Sequence, residues 1–290
     1  MEQLQTFWST YNTLIFTVGV HAMLALSIYL TLSCGLLSLG NAAFMGIGAY
    51  TAALVTLKLA LPFPVALACG GVLPGVVALV IGVPTLRLSG VYLAMATLGF
   101  GEVVRVVLLN MEITGGSMGL NGIPLLTRGW HIVLALGVLV YFFERLRRSK
   151  VGRCFEAIRE DETAARTMGI NTTRYKLLAF VLGAVIAGVA GGLNAHFTFF
   201  LSPREYGFDP AVDILTGAVL GGIGSYLGPM LGGAILAVLP ELLRFLKDYR
   251  LAVNGVILVL VVIYLPNGVW DRRLFARLRR RPGPTPEGEG

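Results

Sequence analysis

Apolar residues run through this chain in blocks of about twenty, separated by short polar intervals, and that is the length an α-helix needs to cross a hydrocarbon core about 30 Å thick. Blocks at 13–33, 38–57, 63–83, 91–110 and 130–145 precede one long charged interval, and blocks at 174–200, 211–243 and 251–266 follow it. The block at 211–243 is long for one crossing and is interrupted by Gly222, Gly224, Ser225, Gly228 and Pro229. It reads either as two short segments in a hairpin or as one kinked helix.

Composition removes the soluble classes. Hydrophobic residues make up 56% of the chain and charged residues 13%, about half the usual charged share of a soluble domain. The net charge of +7 does not point to nucleic acid, because the basic residues flank apolar blocks instead of forming a stripe. They do set an orientation. With the charged interval 145–176 on the cytoplasmic side, sixteen Lys and Arg fall inside, six fall outside, and Arg105 lies within a span. Keeping the basic tail inside as well requires four crossings after Lys176, which favours the hairpin at 211–243. The expectation is therefore an all-α, polytopic membrane helix bundle of about nine transmembrane segments (eight to ten) with discontinuous helices. The transmembrane domain covers 1–270. The tail at 271–290 is basic, partly disordered and cytoplasmic, because its Pro- and Gly-rich end carries nothing to bury.

The charged interval at 146–173 is the most informative stretch. Val151, Phe155, Ile158, Ala165 and Met168 recur at helical spacing with charged residues on the other faces, which predicts a surface amphipathic helix. Gly169 fits its C-cap, and Asn171, Thr172 or Thr173 fits the N-cap of the next span, so the interval is a folded reverse turn. Elsewhere, Glu102 and Arg105 lie three apart inside a span and share one helical face. Bare charge at mid-membrane costs about 2.5–3.5 kcal/mol, so the two either pair as structural glue or line a polar path. Asn41, Tyr92, Thr97 and Asp213 are the other candidates for such a path. An interval with Thr114, Gly115, Gly116, Gly119 and Asn121 lies outside on this topology; its glycines could turn backbone N–H groups toward a solute or a docked protein, or form a plain flexible turn. Gly46-Ile-Gly-Ala-Tyr50 recurs as Gly222-Ile-Gly-Ser-Tyr226, which is a repeat or a coincidence in a Gly-rich chain.

Three stretches resemble a known family. Glu162-Thr-Ala164-Ala165-Arg-Thr-Met-Gly169, preceded by Ala157-Ile-Arg159-Glu160-Asp161, is similar to the coupling motif of ABC importer permeases in their branched-chain amino acid form. Leu36–Tyr50 resembles an early span of that family, and Leu88–Phe100 with Thr114-Gly-Gly116 and Gly119-Leu-Asn-Gly-Ile-Pro124 resembles the member of the permease pair that carries Thr-Gly-Gly and Gly-Leu elements. The likeness covers about 30–270; Cys154-Phe155 departs from the smaller or aliphatic residues expected there. The resemblance implies a type II ABC importer-like bundle in a bacterial or archaeal cytoplasmic membrane, moving branched-chain amino acids or a related small solute inward. It implies that Arg159, Glu160, Asp161, Glu162, Ala164, Ala165 and Gly169 form a cytoplasmic coupling helix for an ATPase. The implied partners are two ATPase subunits, a second related permease and an extracytoplasmic solute-binding protein.

The residues fit that division of labour. No G-x-x-x-x-G-K-[ST] is present, so ATP and Mg are expected on partner subunits, with no cofactor in this chain. His21, His131 and His196 share no ligand spacing, and Cys34, Cys69 and Cys154 are scattered, so no metal site is expected. An enzyme is disfavoured by the lack of H-E-x-x-H or a nucleophile with its base. The alternative is an ion-coupled secondary transporter, to which an intramembrane acid and base would be useful.

Overall fold

The computed structural model describes residues 2–242, with side chains from 12 to 239. The block at 251–266 and the tail at 271–290 lie outside the described residues. Ten α-helices are found among the described residues: α1 (Glu2–Leu32), α2 (Asn41–Lys58), α3 (Phe63–Thr85), α4 (Val91–Asn110), α5 (Gly129–Arg148), α6 (Lys150–Glu160), α7 (Glu162–Thr167), α8 (Thr172–Thr198), α9 (Phe208–Gly221) and α10 (Leu227–Leu242). Two short strands, β1 (Leu120–Asn121) and β2 (Phe200–Leu201), pair antiparallel.

Five of these helices are long and apolar enough to cross a membrane: α1 from Asn12, α3, α4, α5 and α8. The expected span at 38–57 is the helix α2, but it is too polar to count among them. Its position explains why. Packed against α3, α4, α8 and α9, with nearly every side chain from Asn41 to Ala53 buried, it has little lipid to face. At its centre the bare Cα of Gly48 lies against the backbone of Gly188 in α8. Small residues of this kind let helix backbones approach and gain van der Waals contact where lipid gives no hydrophobic drive for association. Pro74 removes the N–H that would have bonded the Gly70 carbonyl, and that carbonyl faces Gly188 as well. The opposite case is α5, whose Trp130, Val133, Leu134, Val138 and Tyr141 are all exposed. So large an apolar surface would be untenable in water and suits a bilayer.

The 211–243 block is not one kinked helix. The helices α9 and α10 run antiparallel, with Gly217 against Gly233 and Gly221 against Gly228, joined by the turn 222–226. The 14 residues of α9 span about 21 Å at the helical rise, short of a full crossing. The turn contains Gly222-Ile-Gly-Ser-Tyr226, whereas Gly46–Tyr50 is helical inside α2, so the two pentapeptides are not structural equivalents.

Connections gather at two ends. At one, Arg159 of α6 donates to the Ile223 carbonyl of the α9–α10 turn, and Gly35 of the α1–α2 connection faces the Arg159 backbone. At the other, β1 pairs with β2 in the register Leu120↔Leu201 and Asn121↔Phe200, tying the α4–α5 connection to the α8–α9 connection. A hairpin at α9–α10 satisfies that alternation.

Candidate functional site: the charged segment and two polar clusters

The charged segment is folded throughout, but as two helices. Ser149 caps α6, its hydroxyl accepting from the Gly152 N–H at 3.2 Å. Asp161 then breaks the expected single helix: its backbone is extended (φ −154°), and its carboxylate accepts from the N–H groups of Thr163 (2.8 Å) and Ala164 (3.0 Å), starting α7. A short carboxylate side chain competes for those N–H groups better than a preceding turn of helix does. Gly169 ends α7 at φ +81°, with Gly169 N–H bonded to the Arg166 carbonyl and Ile170 N–H to that of Ala165, a Schellman turn. Asn171 caps α8 by accepting from Arg174 N–H at 3.1 Å.

The buried face of the segment differs from the expected one at a single position. Phe155, Ile158 and Ala165 are buried and pack with Leu30, Cys34, Phe143 and Tyr226, whereas Met168 is 84% exposed. The positive φ of Gly169 turns the chain away before Met168 can fold back. Ala165 therefore serves the protein's own core, and Met168 with Gly169 forms an open tip.

Ion pairs and hydrogen bonds fasten the segment to the spans. Glu162 accepts from Lys176 Nζ of α8 at 2.6 Å and from Arg166 at 2.7 Å. Burial alone would raise the Glu162 carboxyl, but the hydrogen bonds from Lys176 and Arg166 outweigh it and hold the group below its ordinary value. Arg166 also donates to Thr172 Oγ1 at 3.0 Å. Arg159 pairs with Glu160 at 3.3 Å while bonding the Ile223 carbonyl at 3.2 Å, and the Tyr226 hydroxyl donates to Glu144 at 3.2 Å. Lys176, Glu144 and Tyr226 were not legible as part of this site. A lone Lys entering an apolar block was the one available signal, and a contact across 82 positions leaves none.

The polar residues proposed for a path do not converge. Glu102 and Arg105 pair at 2.7 Å, and the same carboxylate accepts from the Phe208 N–H at 3.1 Å, so the pair caps α9. Gly207 permits this approach: a side chain there would strike Arg105 and Glu102. Asn41 is buried and donates to Ser27 at 2.8 Å, joining α2 to α1, and Thr97 is buried and accepts from Leu39 N–H at 3.0 Å, joining α4 to the α1–α2 connection. Tyr92 and Asp213 are exposed.

The interval around Thr114 is an ordered turn. The Thr114 hydroxyl lies 2.7 Å from the carbonyls of Leu108 and Met111, finishing α4. Gly115, Gly116 and Gly119 all have positive φ, and the Gly115 and Gly119 N–H groups bond back to Glu112 and Gly116. Those two amides are used within the turn. Asn121 lies in β1 opposite Phe200.

Apolar helices packed through small residues, with one folded charged segment fastened to their ends, define a multi-pass helical membrane protein. The chain belongs to the family described as the permease component of branched-chain amino acid transport systems, which matches residues 10–263. It is 38% identical to the high-affinity branched-chain amino acid transport system permease protein LivM of Salmonella typhimurium (strain LT2), over 88% of this chain and 67% of that protein. The corresponding LivM of Escherichia coli (strain K12) is 38% identical over the same shares. LivH of Salmonella typhimurium (strain LT2) is 40% identical over 48% of this chain and 44% of its own. No solved structure matches. The family is one of transport subunits, so the chain is not an enzyme.

Proposed function

We propose that this chain carries branched-chain amino acids, or a closely related small amino-acid-like solute, into the cytoplasm, driven by ATP hydrolysed with Mg on separate subunits. The observation that carries the reading is the α6–α7 segment: folded, pinned to α8 and to the α9–α10 turn, and presenting Met168 and Gly169 outward. A pinned segment can pass on a displacement; a slack loop would absorb it. Two ATPase subunits, a second related permease and an external solute-binding protein complete the assembly, and the coupling surface is the α7 tip with Glu160, Asp161 and Ala164 around it. In this reading the five long apolar helices, the buried α2, the short α9 and α10, and the block at 251–266 make nine crossings of a type II importer, with α6–α7 and the tail at 271–290 inside. The half-exposed Glu102–Arg105 pair and Asp213 face the translocation path, which runs between this chain and the sister permease.

The test is uptake of labelled leucine into proteoliposomes holding all subunits. Uptake should require internal ATP and the binding protein and should ignore an imposed ion gradient. Uptake that follows the gradient without ATPase would establish the ion-coupled alternative, and accumulation of unrelated solutes only would reject the substrate class.

A further inference from the structure

We propose that Arg159 is a positioning residue that locks the α6–α7 segment to the α9–α10 hairpin, so that both move as one body and displacement at the inner end reaches Glu102 along α9. This inference rests on the reading that an ATPase moves the segment.

The lock has two points. After Gly222 (φ +87°) turns the chain out of α9, the Ile223 carbonyl has left the helical ladder and accepts from Arg159 at 3.2 Å. Arg159 is a charged residue on a polar helix, yet its side chain is only 27% exposed, because the guanidinium reaches inward to that carbonyl. Three residues later the Tyr226 ring stacks on Phe143 of α5 (6.0 Å, 16°), and its hydroxyl reaches Glu144. The turn is therefore held by α6 on one side and α5 on the other, and of the two polar anchors only Arg159 belongs to the charged segment.

The hairpin beyond the lock is stiff. Gly217 and Gly221 place the α9 backbone directly against Gly233 and Gly228 of α10, with no side chain between them to repack, so the pair resists sliding. At the far end of α9 the first helical N–H, that of Phe208, is bonded to Glu102, which Arg105 holds at 2.7 Å. The helix thus connects a contact at the charged segment to an ion pair on α4, and a rigid element with a defined partner at each end is what mechanical coupling requires. Glu162 and Lys176 fasten the same segment to α8, but that contact leads back to the next span in sequence and not to α4.

The experiment uses the full chain with Cys34, Cys69 and Cys154 replaced by alanine and spin labels at Glu156→Cys and Gly224→Cys. Glu156 is exposed on α6, outside the coupling surface, and nothing lies within 4 Å of a Cβ at Gly224, so both labels fit. The expected label-to-label distance is narrow, is unchanged by ATP in the assembled complex, and broadens in Arg159→Ala. In the same complex Arg159→Ala should raise the ATP consumed per solute moved on the order of tenfold, and Arg159→Lys should recover part of it. Equal widths with and without Arg159, or a distance that shifts with ATP while Arg159 is present, would overturn the lock. So would a fall in ATP turnover and uptake in constant ratio, the signature of lost docking alone. The width comparison needs no ATPase. A complex that never transports would count against the permease reading and leave the lock to be decided by that comparison.

Discussion

Lys176, one turn into α8, reaches back across fourteen positions to the carboxylate of Glu162, 2.6 Å away, and its own side chain is 12% exposed. Glu162 is the first residue of α7, so this one ion pair sets where the charged segment meets the spans. Because the Glu162 carboxyl is held below its ordinary value of 4.5, its contribution is complete above that value and is lost as pH falls through the lower folded-state value. Amide exchange over 162–170, corrected for intrinsic rates, should therefore be flat from pH 7 to about 5 and accelerate below it. Glu162→Gln should abolish the step and weaken protection by on the order of 1 kcal/mol, the pair being partly exposed.

Most of the architecture could be read from periodicity because crossing a bilayer demands length, and length shows in sequence. Each apolar block inside the described residues is built of helix, the one at 211–243 of two, and the hairpin that charge parity requires there is made where Gly222 turns the chain. What stayed hidden depended on local competition or distant contacts. Asp161 sits within a helical pattern, and its preference for N-cap geometry shows only once Thr163 and Ala164 N–H groups compete for it. Met168 keeps the helical phase on paper and loses it because Gly169 turns left-handed one residue on. The Arg159–Ile223 contact joins residues 64 apart through a backbone carbonyl, which no side-chain pattern encodes. Asn41 and Thr97 stand out as polar residues in apolar blocks, a signal that buried hydrogen bonds to neighbouring elements produce as readily as a solute path does, whereas Tyr92 is exposed.

Substitutions at the tip of α7 separate folding from docking. Ala165 is buried, so Ala165→Asp should place a charge in the protein's own core and lower the yield of folded chain in detergent, whatever it does to a partner. Met168 is exposed, so Met168→Asp should leave folding intact and cut ATPase binding by about 10–100-fold, the equivalent of losing one buried Met side chain. Gly169→Ala meets no atom and should cost about 1 kcal/mol of strain through its left-handed backbone alone. Size-exclusion profiles with a pull-down of the ATPase subunits distinguish the three. Equal binding by Met168→Asp and the parent would remove the tip from the docking surface.

Two glycines of similar appearance in sequence should respond oppositely. A Cβ on Gly48 would overlap the Gly188 backbone, which has no flexible side chain to give way, so Gly48→Ala should force α2 and α8 apart at about 1–3 kcal/mol or more. A Cβ on Gly99 of α4 would meet nothing within 4 Å beyond its own helix backbone, so Gly99→Ala should be neutral or stabilise by up to about 1 kcal/mol through helix propensity. Thermal unfolding in detergent measures both.

The Glu102–Arg105 pair combines two structural tasks, and variants can take them apart. Glu102 neutralises Arg105 and also accepts from the Phe208 N–H, so Glu102→Ala leaves a half-buried guanidinium alone and a helix start without its acceptor. Each loss is about 1 kcal/mol at this exposure, and together they should lower the melting temperature more than any other change at the site. Glu102→Gln keeps an acceptor for Phe208 and loses only the charge pairing, so its cost should be about half as large. The double variant Glu102→Ala with Arg105→Ala loses the acceptor but leaves no stranded charge, and it should be more stable than Glu102→Ala alone. That ordering requires the pair to hold α4 to α9. If the two residues only lined a path, all three variants would melt with the parent and differ in the KM of uptake alone, and a flat set of melting temperatures would show that the contact with Phe208 does not secure α9.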